Sequence, residues 1–208
     1  MPGRDVFEYR PELIPIFISD ETGRWPFKGF RFLEGSVSLQ PGADQFTPRE
    51  IRCMTRAILG QSNPQIAEKI PKTVSQRALK QPRPEGIPRH VSLPTVKTDL
   101  KKVSQALGSP ARTALLPRAI AHEVMAVEAY APRYLFPASE ADLELIGELG
   151  QGRQMPTIAK MRDLKDRTPI ARRLGELFNN TGLHRGELLV AGAILTNQLD
   201  PITCTPIA

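Results

Sequence analysis

The side chains best suited to chemistry in this sequence are cationic: Lys97, Lys101 and Lys102, with the hydroxyl of Thr98 among them, gathered within two turns of one helix. Val96, Leu100, Val103 and Leu107 recur at helical period, so this helix turns its apolar set inward and leaves the four polar residues outside. Ammonium groups on one face suit a polyanion, because each phosphate neutralised releases counterions and adds a salt-dependent binding term. The whole chain of 208 residues carries only +6, but that charge is concentrated. Residues 46–120 hold 14 Lys or Arg against 4 Asp or Glu, hence +10, whereas residues 1–45 (5 against 7) and 121–208 (9 against 11) are each −2.

Nothing comparable points to catalysis. GQGR at 150–153 lies between expected helices and lacks the Lys-Ser/Thr ending of a phosphate-binding loop. His90, His122 and His184 are scattered without metal-ligand spacing, and Cys53 and Cys204 complete no zinc set and no disulfide framework. Cys53, set among apolar residues of an expected helix, reads as a reduced core residue. The expectation is a chain that is not an enzyme and uses no cofactor or metal. The absence of a signal-like or membrane-length apolar run reads as cytoplasmic, in association with the nucleoid.

The elements that must position the lysines follow from local signals. VFEYRPELIPIFISDETGRWPFKGFRFLEG contains two β-like runs, IPIFIS and FKGFRFL, around a turn signal at Asp20 to Gly23, and predicts a short N-terminal β-hairpin or packing arm. SLQPGADQ reads as a linker, so that residues 1–45 form an arm and linker. In FTPREIRCMTRAILG, Thr47 can cap, Pro48 fits the first helical position and Gly60 ends the helix. NPQIAEKI predicts a second short helix. PKTVSQRALKQPRPEGIPRH, with prolines at 71, 82, 84 and 88, predicts an exposed basic loop. SLPTVKTDLKKVSQALG then predicts a helix from about Thr95 to the stop at Gly108, and ARTALLPRAIAHEVMAVEAY one or two more, interrupted at Pro117.

Over residues 46–120 these segments resemble the LuxR-type helix-turn-helix family. FTPRE resembles the family's opening, QSNPQIAEKI its second helix, and TVKTDLKKVSQALGSPARTALL its recognition helix and following turn. Thr-Val-Lys, the Leu five residues after that Thr, Leu107-Gly108 and Arg-Thr-x-Leu from Arg112 all fall at the family's spacing. The resemblance implies two short helices packed at a steep angle, with the second, starting near Thr95, free to enter a major groove. It implies base-edge contacts for Lys97, Thr98 and Lys101. Lys102, Ser92, Thr95 and Arg89 would then touch phosphate and fix the register. Two features depart from the family. The insertion at 71–91 separates the second and third helices; it is either a basic arm along the backbone or minor groove, or a surface loop. PKTVSQRALKQ offers a rival recognition-helix start, which Pro82 and Pro84 would break early. Asp99 would set a negative charge toward phosphate, lowering affinity or rotating the helix.

A fainter second copy is expected in residues 139–208, after a connector at 121–138. ASEADLELIGELGQG follows the first helix, MPTIAKM repeats Pro-x-Ile-Ala, and DRTPIARRLGELFNNTGLHRGELLVAGAIL resembles a recognition helix and its sequel over 139–195. Where the first copy has Lys97, Thr98 and Lys101, the second has Ala171, Arg172 and Gly175, leaving Arg172 and Arg173 as its DNA contacts. Either both copies dock on adjacent half-sites, or the second is a degenerate packing or dimerisation module. The expected fold is thus mainly α, with tandem LuxR-like helix-turn-helix domains. The expected function is transcription regulation by binding double-stranded DNA, with RNA polymerase or another transcription protein, and a second copy in a homodimer, as further partners. The competing expectation is a protein-interaction adaptor that keeps the helix-turn-helix shape without reading a DNA site.

Overall fold

A computed structural model describes residues 11–17, 27–34, 39–71, 90–126 and 136–207. The turn at 20–23, most of the insertion together with Arg89, and most of the connector lie outside the described residues. The architecture is mainly helical: α1 (Pro48–Ile58), α2 (Asn63–Lys69), α3 (Leu93–Ala106), α4 (Leu115–Ala121), α5 (Glu140–Gly150), α6 (Met155–Met161), α7 (Thr168–Thr181) and α8 (Gly186–Leu195). Two strands precede them, β1 (Pro11–Phe17) and β2 (Phe27–Glu34), paired antiparallel with a register irregularity between Pro15 and Phe17. Among the described residues no helix is long and apolar enough to cross a membrane.

The helices begin where the sequence supplies caps. At α1 the Thr47 hydroxyl accepts from the Glu50 N–H at 3.3 Å, and the Glu50 carboxylate accepts from the Thr47 N–H at 2.8 Å. This reciprocal box satisfies donors that a helix leaves open, and is worth about 1 kcal/mol. Ser139 and Asp142 repeat it at the start of α5, at 3.0 and 3.3 Å. α3 begins at Leu93, two residues before the start expected from sequence. Pro94 does not delay it, because the first turn needs no intrahelical N–H, and Ser92 takes the cap position. The same reasoning corrects the expectation at Pro117. A 3-10 turn at Arg112–Ala114 leads into α4, which runs through that proline within its first turn.

SLQPGADQ is more than a linker. Pro41–Gln45 forms a 3-10 turn that buries Ala43, and the N–H groups of Gln40 and Gly42 donate to the carbonyls of Val124 and Glu123 at 3.2 and 3.1 Å. Residues 39–43 therefore close onto the turn after α4, with Leu39 bridged to Met125.

Helix lengths recur along the chain: 11, 7 and 14 residues in α1 to α3, then 11, 7 and 14 in α5 to α7. Turns recur with them. The residues closing α1 and α5 include Gly60 and Gly152, both at positive φ, and those closing α3 and α7 include Gly108 and Gly182, likewise. After α4, the N–H groups of Glu123, Val124 and Met125 donate to Ile120, Ala119 and Ala119; after α8, those of Asn197, Gln198 and Leu199 donate to Ile194, Ala193 and Ala193. Residues 39–126 and 136–207 are called the first and second modules below. Their apolar faces join in one core that runs from Ile51, Met54 and Ile66 through Leu107 and Leu115 to Ile146, Leu177 and Val190.

Candidate nucleic-acid interface

α3 packs against both α1 and α2 through Val96, Leu100, Val103 and the following Leu107, all buried. Each such burial is worth roughly 1.5–3 kcal/mol before the entropy of ordering is set against it. The opposite face is polar. Lys97, Thr98, Lys101 and Lys102 are exposed, so the structure brings the three residues expected at base edges onto one outer surface with a third lysine beside them. Among the described residues, no ion pair engages Lys97 or Lys101. Lys102 leans toward α1, its ammonium 3.7 Å from Glu50.

Ser92 and Thr95 sit together at the helix start, their hydroxyls 2.9 Å apart, with the Ser92 oxygen also accepting from the Thr95 N–H at 3.4 Å. Ser92 is exposed and Thr95 half-buried; the bond between them uses one of the two O–H donors and leaves the other for an incoming phosphate oxygen.

Asp99 corrects the sequence reading. It does not point toward phosphate: its side chain is 2% exposed and accepts from Arg49 Nε at 2.6 Å and Nη2 at 3.2 Å. The reason is its register, three residues after Val96 and four before Val103, which puts it on the inward face. The carboxylate raises Arg49 through that hydrogen bond. Beneath the pair lies Cys53, its Sγ 3.9 Å from Asp99 Oδ2, with burial and the Asp99 charge pushing the thiol up to about 12. Arg49, part of FTPRE, escaped the sequence reading. The signal available was an acidic residue on an apolar stripe, which demands a basic partner from a packed neighbour.

Burial drives Glu50 upward, but its hydrogen bonds with Thr47 and the charges of Lys102 and Arg49 outweigh this and hold it below the ordinary range. α1 thus offers one carboxylate as a cap and one arginine as a brace for α3.

Arg112 is a second structural cation. Its Nη2 donates to the Gln61 carbonyl at 2.6 Å and its Nη1 to Asn63 Oδ1 at 3.2 Å, pinning the turn that starts α2. Its Nε lies 3.5 Å from Glu187 Oε1 on α8, so the same guanidinium spans the two modules. Burial pushes Arg112 below the ordinary guanidinium range, only partly countered by Glu187.

On the second module, Arg173 is drawn inward. It gives Asp142 a bidentate pair at 2.6 and 2.7 Å and Glu176 a third bond at 2.8 Å, which leaves less of it for phosphate than sequence alone implied. Arg172 is 84% exposed, 3.5 Å from Glu176. Ala171 and Gly175 complete the face that corresponds to the lysines of α3.

Comparison of the chain with known protein families, curated proteins and solved structures finds no match, so these residues carry the functional argument on their own.

Proposed function

We propose that the chain is a double-stranded DNA-binding transcription regulator, built as tandem LuxR-like helix-turn-helix modules behind a short β-hairpin arm, with α3 as its recognition helix. What supports the reading is the outer face of α3: Lys97, Thr98 and Lys101 stand exposed on a helix braced from behind by α1 and α2. A single helix of this width fits a major groove, and a rigid backing keeps its donors at constant height above the base edges. Lys97, Thr98 and Lys101 read bases; Ser92, Thr95 and Lys102, at the helix start and flank, meet phosphate. The inward turn of Asp99 removes an objection to this assignment, since its charge is neutralised by Arg49 rather than presented to the backbone.

The test is selection of bound duplexes from a random pool, followed by affinity for the winner and for scrambled DNA at several salt concentrations. A ratio of about a thousandfold or more establishes a sequence reader. Lys97→Ala and Lys101→Ala should then each lose about 1–3 kcal/mol of discrimination, while Lys102→Ala weakens all sequences alike and flattens the salt slope. Weak binding that depends wholly on salt and enriches no motif would defeat the proposal and return the chain to the adaptor reading.

A further inference from the structure

The two modules meet through corresponding surfaces. Gly60, closing α1, lies against the second module: a Cβ there would stand 3.0 Å from Arg185 Cδ and 3.2 Å from Leu188 Cγ. Gly152, its counterpart closing α5, lies against the first module, where a Cβ would overlap Pro110 and stand 3.3 Å from Ala114. Ala114 and Leu188 are themselves counterparts, each five residues before the alanine, Ala119 or Ala193, whose carbonyl accepts the two bonds of the matched turns. A second pair behaves the same way. Arg112 meets Glu187, and their counterparts Gly186 and Thr113 meet in turn, a Cβ at Gly186 standing 3.1 Å from Thr113 Cγ2. When residue i touches j and the counterpart of j touches the counterpart of i, the contact is isologous, the arrangement that a two-fold axis generates between identical subunits. Here both halves belong to one chain.

The heads related by this pseudo-axis are unlike. α3 presents Lys97, Lys101 and Lys102, whereas the matching positions of α7 are Ala171, Gly175 and Glu176. Of the two arginines there, Arg173 is tied down by Asp142 and Glu176, and Arg172, though exposed, has the Glu176 carboxylate 3.5 Å away, so this head carries less free positive charge than α3. We infer that the second module fills, in cis, the face that another copy would otherwise occupy, so that the chain reads DNA as a single-headed monomer at one half-site with no inverted repeat. The half-site part of this inference rests on the DNA reading proposed above. Exchange for a second copy is opposed by the seam itself: separating the modules would strip half-buried Arg112 of Glu187 and expose the close seats of Gly60 and Gly152.

The experiment uses the full chain. Its mass is measured by analytical ultracentrifugation across a micromolar range, alone and with the selected duplex, and the selected motif is inspected for symmetry. The expected result is a monomer, a one-to-one complex, and an ungapped motif shorter than one helical turn of about 10 base pairs. An inverted repeat with centres about one turn apart, or two chains per duplex, overturns the inference while leaving the DNA reading intact. If no motif is enriched, the DNA reading falls, and the mass of the free chain still decides the rest. A concentration-dependent dimer refutes filling of the face in cis, and a monomer throughout upholds it.

Discussion

Two helix pairs carry opposite solutions to the same packing problem. In the first module the acid is on the third helix and the base on the first, Asp99 with Arg49; in the second the base is on the third helix and the acid on the first, Arg173 with Asp142. The difference lies in what else each carboxylate does. Asp142 is buried nearly as deeply as Asp99 but already caps α5 through Ser139, so it keeps partners if Arg173 leaves. Asp99 caps nothing; beyond Arg49, the polar contact described for it is the long one to Cys53. A pair whose buried member has other bonds is a trim on stability, whereas a pair whose buried member has few is a condition of folding.

That contrast ranks the expected effects. Arg49→Ala strands the Asp99 carboxylate and should cost about 3 kcal/mol, measured as a shift in urea midpoint. Arg173→Ala should cost less, about 1 kcal/mol, because Asp142 keeps its bonds with Ser139. Combining Arg49→Ala with Asp99→Arg imports the second module's arrangement, because Ala141 and Asp142 hold the places of Arg49 and Glu50. The double variant should be more stable than Arg49→Ala alone, and equal or lower stability would show that the two solutions are not interchangeable.

Gly152→Ala tests whether the seam between modules is as tight as its geometry. The residue sits at φ +84° and a Cβ would overlap Pro110, so a loss of about 2 kcal/mol is expected from strain and displacement together. Substitution at Gly108, also at positive φ but with nothing within 4 Å, should cost only the backbone share, about 1 kcal/mol. Similar losses at both positions would mean that the seam yields readily.

The smallest effect is in acid. Glu50 and Asp142 are both held below their ordinary values, 4.5 and 3.8, by hydrogen bonds and neighbouring cations that exceed the upward push of burial. Their contribution is therefore fully present above those ordinary values and lost as pH falls through the folded ones. Urea midpoints at pH 6 and pH 3 should differ less in Glu50→Gln and Asp142→Asn than in the parent; an unchanged difference would assign the acid response to other groups.

What could be read from the sequence was whatever is local. Thr47 and Ser139 each stand one residue before a helix, and the apolar spacing from Val96 to Leu107 marked the buried face of α3, although its cap at Ser92 did not stand out. Pairings over long separations were not readable in this way. Asp99 looked solvent-facing only while it was considered apart from Arg49, fifty residues earlier. SLQPGADQ looked like a linker because its partner strand, the turn at Val124 and Met125, carries no signature of pairing. The seam residues Gly60, Arg112 and Glu187 each had an ordinary local explanation, and only their placement together gives them a joint one.

The two free cysteines have an experimental consequence. Cys53 lies under the Arg49–Asp99 pair, and Cys204 lies in the C-terminal tail seated on Gly150 of α5, its thiol raised by burial to about 11. Both are closed to alkylating reagents while the native structure persists, and each becomes reactive when its surroundings open. The unmodified chain thus carries one built-in label for opening in each module. Comparing the rates at which the two thiols are alkylated would tell whether the halves breathe separately or as one cooperative unit.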